Sequence, residues 1–190
     1  PGDSTVGTLA IYTLRSEGKT KLPNGESRYA SREYADQVQT QIVNDIRANF
    51  NPDWSRRWLW DRAYRESRTP SCPSMLLELL SHQNFADMKY GLDPAFRFTV
   101  SRAVYKGMLK YLSNRYGCEY AVQPLPVSSL GASFSGKNKA CIQWSPTVDE
   151  LEPTAEAKGY ILYTRIDDGA FDKGKIIKDI RKKGEYYGID

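Results

Sequence analysis

The stretch Pro73-Ser-Met-Leu-Leu-Glu78 ends an apolar run on a carboxylate, and Leu79 and Leu80 continue the run past it. An ionised carboxylate without a partner in apolar surroundings costs several kcal/mol, so Glu78 needs something to meet. A head that leaves the apolar layer for a cleft, its stem still packed, would avoid that cost. The structural alternative is an ion pair with an arginine such as Arg62 or Arg65. Asn84 and Asp87 follow in the next loop, where these residue types fix turns and cap short helices more readily than they touch substrate. Arg65 and Arg68, just ahead of the run, are candidates to face a substrate carboxylate, because a guanidinium pairs with one bidentately. Asn84 is kept beside them as a substrate-binding candidate. The run Arg56-Arg57-Trp58-Leu59-Trp60 offers rings that could stack on a sugar, although packing is the commoner use of large aromatics.

Metal and thiol chemistry find little support. His82 is the single histidine, with no partner at ligand spacing, and Cys72, Cys118 and Cys141 are odd in number and far apart. No metal ligands are therefore assigned in this chain. With 40% apolar and 26% charged residues among 190, and a net charge of +4, the chain has ordinary globular composition and room for one or two domains. Its basic residues are scattered apart from Lys178, Arg181, Lys182 and Lys183, so no stripe argues for nucleic acid. No apolar run is long enough for a membrane span or a signal peptide. The opening Pro-Gly-Asp-Ser-Thr reads like a cut made inside a domain.

The elements that must position Glu78 follow from periodicity. Residues 6–14 alternate as a strand apolar on both faces. Tyr34, Val38, Ile42, Ile46 and Phe50 recur every four residues and predict an amphipathic helix over about 31–50, ended by Asn51-Pro52. Residues 56–67 begin as a strand. The run around Glu78 has the length and apolarity of a buried parallel strand. Asp93 can cap a second long helix with Pro94 at its first position, Phe96, Val100, Val104, Met108, Tyr111 and Leu112 on its buried face, and Gly117 at its end. Helices between apolar strands predict an α/β layer arrangement for residues 1–120. After Tyr120 the extended "VQPLPV" leads into short alternating runs at "KACIQWSP", "GYILYTRID" and "KIIKD", which predict a β module over 121–190.

Pro73, Glu78, Asn84 and Asp87, with Asp93-Pro94 and the helix after them, resemble the end of the zinc-dependent N-acetylmuramoyl-L-alanine amidases. There a final strand carries the catalytic glutamate within a P-x-V-L-V-E-x-G-F-x-S-N-x-x-D pattern. The segment is similar to the amidase-like domains of large secreted Bacteroidetes proteins often labelled xanthan lyases, in which a fibronectin type III module follows. Trp144 falls where that module has its strand-B tryptophan, and Tyr160 to Tyr163 where its strand C lies. The resemblance covers roughly residues 1–165 and implies an amidase/phosphorylase-like layered sheet, C-terminal half, followed by a partial fibronectin-like module. It also implies hydrolysis of an amide in peptidoglycan or a related extracellular glycan, with Glu78 as general base and then acid, a zinc ion in the parent family, neighbouring domains of the same parent protein as partners, and a periplasmic or extracellular setting. The family's three zinc ligands lie before the strand that 6–14 would match and have no counterparts here, and Leu79-Leu80 replaces the Gly-Phe after the catalytic residue. A non-catalytic glycan-binding module and part of a polysaccharide lyase are the alternatives. No Tyr/His/Asn constellation in the sequence supports the lyase.

Overall fold

Gly7 opens the first strand because nothing larger fits there. In the computed structural model, which describes residues 4–136, 139–178, 180–183 and 186–189, its φ is +78°, and a Cβ would stand 2.3 Å from the carbonyl oxygen of Ser55. That oxygen accepts a hydrogen bond from the Thr8 amide. Strand β1 (Thr8–Tyr12) is buried throughout. Helix α1 (Tyr29–Asn49) follows, then β2 (Arg56–Asp61), the single turn α2 (Arg65–Arg68), β3 (Leu76–Glu78), α3 (Phe85–Gly91) and the long α4 (Pro94–Tyr116). The chain is mixed α/β and divides after Tyr120 into two units, 1–120 and 121–190.

The sheet of the first unit runs β2-β1-β3, with β2 parallel and β3 antiparallel to β1. This corrects the expectation of a central parallel strand at Glu78: β3 has three residues and lies at an edge among the described residues. The connection explains it. Between Asp61 and Leu76 there is only one helical turn, and its Ser67 hydroxyl lies 2.8 Å from that of Thr13, just past the end of β1. The chain therefore re-enters the sheet from the end at which it left, whereas a parallel return needs a crossover along the strand length.

Both buried clusters lie on one side of this sheet. Ala10, Tyr12 and Ala35 gather Leu59, while Val38, Ile42, Ile46, Trp54, Phe96, Val100 and Ala103 gather Leu77 and Leu79. Helices α1 and α4 thus cover that side together. Asp93 caps α4 by accepting from the Ala95 amide, and Gly117 ends it at φ +65°. The expected buried face needs a correction at its C-terminal half. Phe96, Val100 and Tyr111 are buried as expected, but Met108 and Leu112 are exposed, and Ala103, Lys106 and Gly107 are buried instead. The pivot is Gly107, where a Cβ would come 2.7 Å from the Val38 Cα, so the helices approach closely there and the contact line passes through 103, 107 and 111.

Asp61 ties the end of β2 to the loop after β1. It accepts from the amides of Leu14 (2.8 Å), Arg15 (2.7 Å) and Ser16 (3.3 Å) and from the Ser16 hydroxyl (2.7 Å). Burial pushes its carboxyl up, but these donors together hold it below the ordinary value of 3.8. A carboxyl depressed in the folded state contributes stability that is present above its unfolded value and lost as pH falls through the folded one. Asp61→Asn is therefore expected to lower stability at neutral pH by about 1–2 kcal/mol and to flatten the decline below about pH 4. Urea midpoints of both proteins across pH 2–7 check this. An unchanged acid limb in the variant would remove Asp61 from that role.

In the second unit β4 (Ser128–Gly136), β5 (Lys139–Ser145), β9 (Tyr186–Ile189) and β8 (Arg181–Lys183) form an antiparallel sheet in the order β4-β5-β9-β8. Strands β6 (Ile161–Leu162) and β7 (Lys175–Ile176) pair separately. Trp144 is buried and meets the rings of Tyr160 at 5.1 Å and Tyr187 at 6.4 Å. The segment "IRKKGEYYGID" supplies β8 and β9 and places Tyr187 against that tryptophan. Residues 184, 185 and 190 of it lie outside the described residues.

Candidate functional site

Glu78 is the last residue of β3, opposite Leu9 of β1, and its side chain is exposed. Its carboxylate forms no ion pair with Arg62, Arg65 or any other described residue. It borders a cleft of about 650 Å³ whose other polar walls are Arg57, Ser81 and His82, with Val6, Leu77, Leu79 and Leu80 as the apolar ones. The apolar run and the carboxylate are reconciled by the pleat: Leu77 turns toward α1 and α4, and Glu78 turns away from them.

What holds this edge is Asp87. It is fully buried, and its two carboxylate oxygens accept from the Val6 amide at 3.0 Å and the Ser81 amide at 2.8 Å. One side chain in the first turn of α3 thus ties the lead-in to β1 to the loop leaving β3. Asn84 works alongside. It caps α3 by accepting from the Ala86 amide and donates to the Ser4 carbonyl, both at 2.9 Å, and it is buried. Its amide is occupied in fixing the loop that carries His82, so its contribution to the cleft is positional.

Arg57 reaches the cleft through an irregularity in β2. Thr8 pairs with Arg56 and Ala10 with Leu59, so β2 holds one more residue than β1 over this interval. Arg56 forms an ion pair with Asp36 of α1 and Leu59 packs against Ala10, so both face the helices although three positions apart. The bulge leaves Arg57 and Trp58 to face elsewhere. Gln39, fully buried on α1, donates to the freed carbonyls of Thr8 (2.8 Å) and Arg57 (3.0 Å). Trp54 donates its indole N–H to the Thr8 hydroxyl at 2.8 Å. No sequence signal marked Arg57 above its neighbours. Gln39 had one, a polar residue beside Val38 on the buried stripe.

Arg65 and Arg68 are not brought to Glu78. Their helix abuts Thr13, four positions along β1 from Leu9, or about 13 Å at strand rise. Arg68 lies 3.9 Å from Glu17 instead, and Arg65 is exposed. His82 is exposed at the cleft, and among the described residues no three His, Cys, Asp or Glu side chains converge as a metal site would require. No described helix is long and apolar enough to cross a membrane. No family model, no curated protein and no solved structure matches this chain.

Proposed function

We propose that the first unit supplies the proton-transfer carboxylate of an amidase-like hydrolase acting on the amide between N-acetylmuramic acid and L-alanine, or on a related glycan-linked amide. The observation that carries the reading is Glu78 itself: an unpaired carboxylate at the end of an apolar strand, turned into a cleft and held there by buried Asp87. In such a cleft Glu78 takes the proton of the attacking water and delivers it to the departing amine. Arg57, on the same wall, is positioned as a donor to a substrate oxygen. The zinc of the resembled family needs about three protein ligands. The described residues do not furnish that set, and no step is derived through it. The second unit is read as a fibronectin-like module. The supports are buried Trp144 on β5 and the β4-β5-β9-β8 order, which follows the A-B-E-D sheet of immunoglobulin-type sandwiches with β6 in the place of strand C. Peptidoglycan or another extracellular glycan is the partner this reading names, in a periplasmic or extracellular setting.

The test is chemical rather than one of binding. The protein is incubated with a purified muropeptide, and new α-amino groups of L-alanine are counted. Steady release of free amine is expected. Retention of the muropeptide without any release would favour the second reading, a glycan-binding module without turnover, which the 75% exposure of Trp58 supports.

A further inference from the structure

Strand β4 gives the second unit a sheet edge without a single charge on it. The outer backbone N–H and C=O groups of β4 have no strand partner among the described residues. Such an edge is a template for a further strand unless charges, proline or a cover prevent it. The strand reads Ser-Ser-Leu-Gly-Ala-Ser-Phe-Ser-Gly, with neither charge nor proline. The opposite edge, β8, is Arg181-Lys182-Lys183 and carries three cations. Two large apolar side chains of β4 stand in water, Leu130 at 67% and Phe134 at 91% exposure. Irregularities shorten the edge without closing it. The register with β5 shifts on both sides of residues 131–134, and Ser129 and Gly136 have φ of +51° and +144°. Between them Ala132 and Phe134 share a face with Ile142 and Ala140 of β5, and Leu130 continues the alternation.

We infer that this edge pairs with β4 of a second copy of the chain, antiparallel about a two-fold axis at Ala132. The order Leu-Gly-Ala-Ser-Phe is bulky at both ends and small between, which is the pattern that self-pairing about its centre requires. Leu130 then meets the partner's Phe134 and Phe134 meets the partner's Leu130, while Gly131 and Ser133 face their counterparts on the other side. Two aliphatic–aromatic cross-strand pairs form at once, and two four-stranded sheets become one of eight strands. A slip of one residue would set both bulky side chains against serine or glycine. Charge selects β4 of the second copy over its β8. Adding β8 would lay three cations along an apolar edge and leave another edge open, so the assembly would grow without closing. Joining at a single strand buries less than the area of about 1,200–2,000 Å² that stable complexes bury, so the pairing is weak and follows concentration.

Sedimentation equilibrium of the whole chain is expected to show monomer and dimer exchanging at about 10–100 μM, weaker than the micromolar or tighter binding of standard-size interfaces. Leu130→Lys and Phe134→Glu are each expected to weaken the dimer about tenfold, because either change spoils both cross-strand pairs. The double variant sets each new lysine opposite the partner's new glutamate and should return to within about threefold of the parent. Residues 130 and 134 of one copy stand about 13 Å apart along the strand, so this rescue reports contact between copies. Both positions are exposed, and the far-UV spectrum and urea midpoint verify folding of every variant. A chain that stays monomeric up to about 1 mM would overturn the inference. So would a dimer indifferent to both single changes, or a double variant no better than the singles. Growth beyond the dimer would assign the edge to β4–β8 addition and overturn it as well. None of these outcomes bears on the hydrolase reading, which concerns the first unit.

Discussion

Glu78→Gln is expected to reduce release of the peptide from a muropeptide on the order of 10²–10⁴-fold, the usual cost of losing a general base. The amide keeps the shape and accepts hydrogen bonds, but it cannot hold the proton of the attacking water. Stability should change little. The side chain is exposed at the end of β3, and its carboxylate has no ion pair to lose among the described residues. The loop beyond it is tied by Asp87 and Asn84, which the substitution leaves alone. Rate and urea midpoint are measured on the same preparations of both proteins. Equal rates would remove Glu78 from the chemistry. Loss of fold with loss of rate would mean that the side chain holds β3 in place rather than serving a substrate.

The helices were readable in the sequence because each carries its own period and its own stop. Tyr34, Val38, Ile42 and Ile46 repeat every four residues, and Asp93-Pro94 and Gly117 punctuate α4. The direction and rank of β3 were not readable. A short run of leucines has the same appearance in a central parallel strand and in an antiparallel edge strand, and the difference lies in how the 14 residues between Asp61 and Leu76 return to the sheet. Strand β4 escaped notice for a related reason: "SSLGASFSG" is small and polar, and pairing with β5 gives it an order that its side chains do not announce. The site divides along the same line. Glu78 stood out as a charge in an apolar run, a local contrast. Arg57 depends on a bulge, and the distance of Arg65 and Arg68 from Glu78 depends on topology, so neither leaves a local mark.

The buried pair between the two long helices is expected to give the largest stability change in the first unit. Lys106 of α4 and Asp45 of α1 meet at 2.7 Å with 2% and 6% of their side chains exposed. Gln41 donates to Asp45 at 2.7 Å, and Lys110 in turn donates to Gln41 at 2.7 Å. Lys106→Met keeps most of the packed stem but strands the Asp45 carboxylate in a dry interface, which costs about 3–5 kcal/mol when one partner of a buried pair is removed. Adding Asp45→Leu removes the stranded charge, and the double variant should regain most of the loss, since apolar replacements of buried pairs are often neutral or stabilising. Urea unfolding followed by the helical far-UV signal reports on this unit, because α1 and α4 supply most of its helix. A single-variant loss below about 1 kcal/mol would mean that water reaches the pair. The consequence for the site is indirect and can be measured. Gln39, two positions before Gln41 on the same helix, holds the Thr8 and Arg57 carbonyls at the bulge. If the seam between α1 and α4 sets the position of α1 on the sheet, Lys106→Met at a temperature where it is still folded should also weaken whatever Arg57 binds. A variant that loses stability but keeps full binding would show that the bulge holds its geometry without that seam.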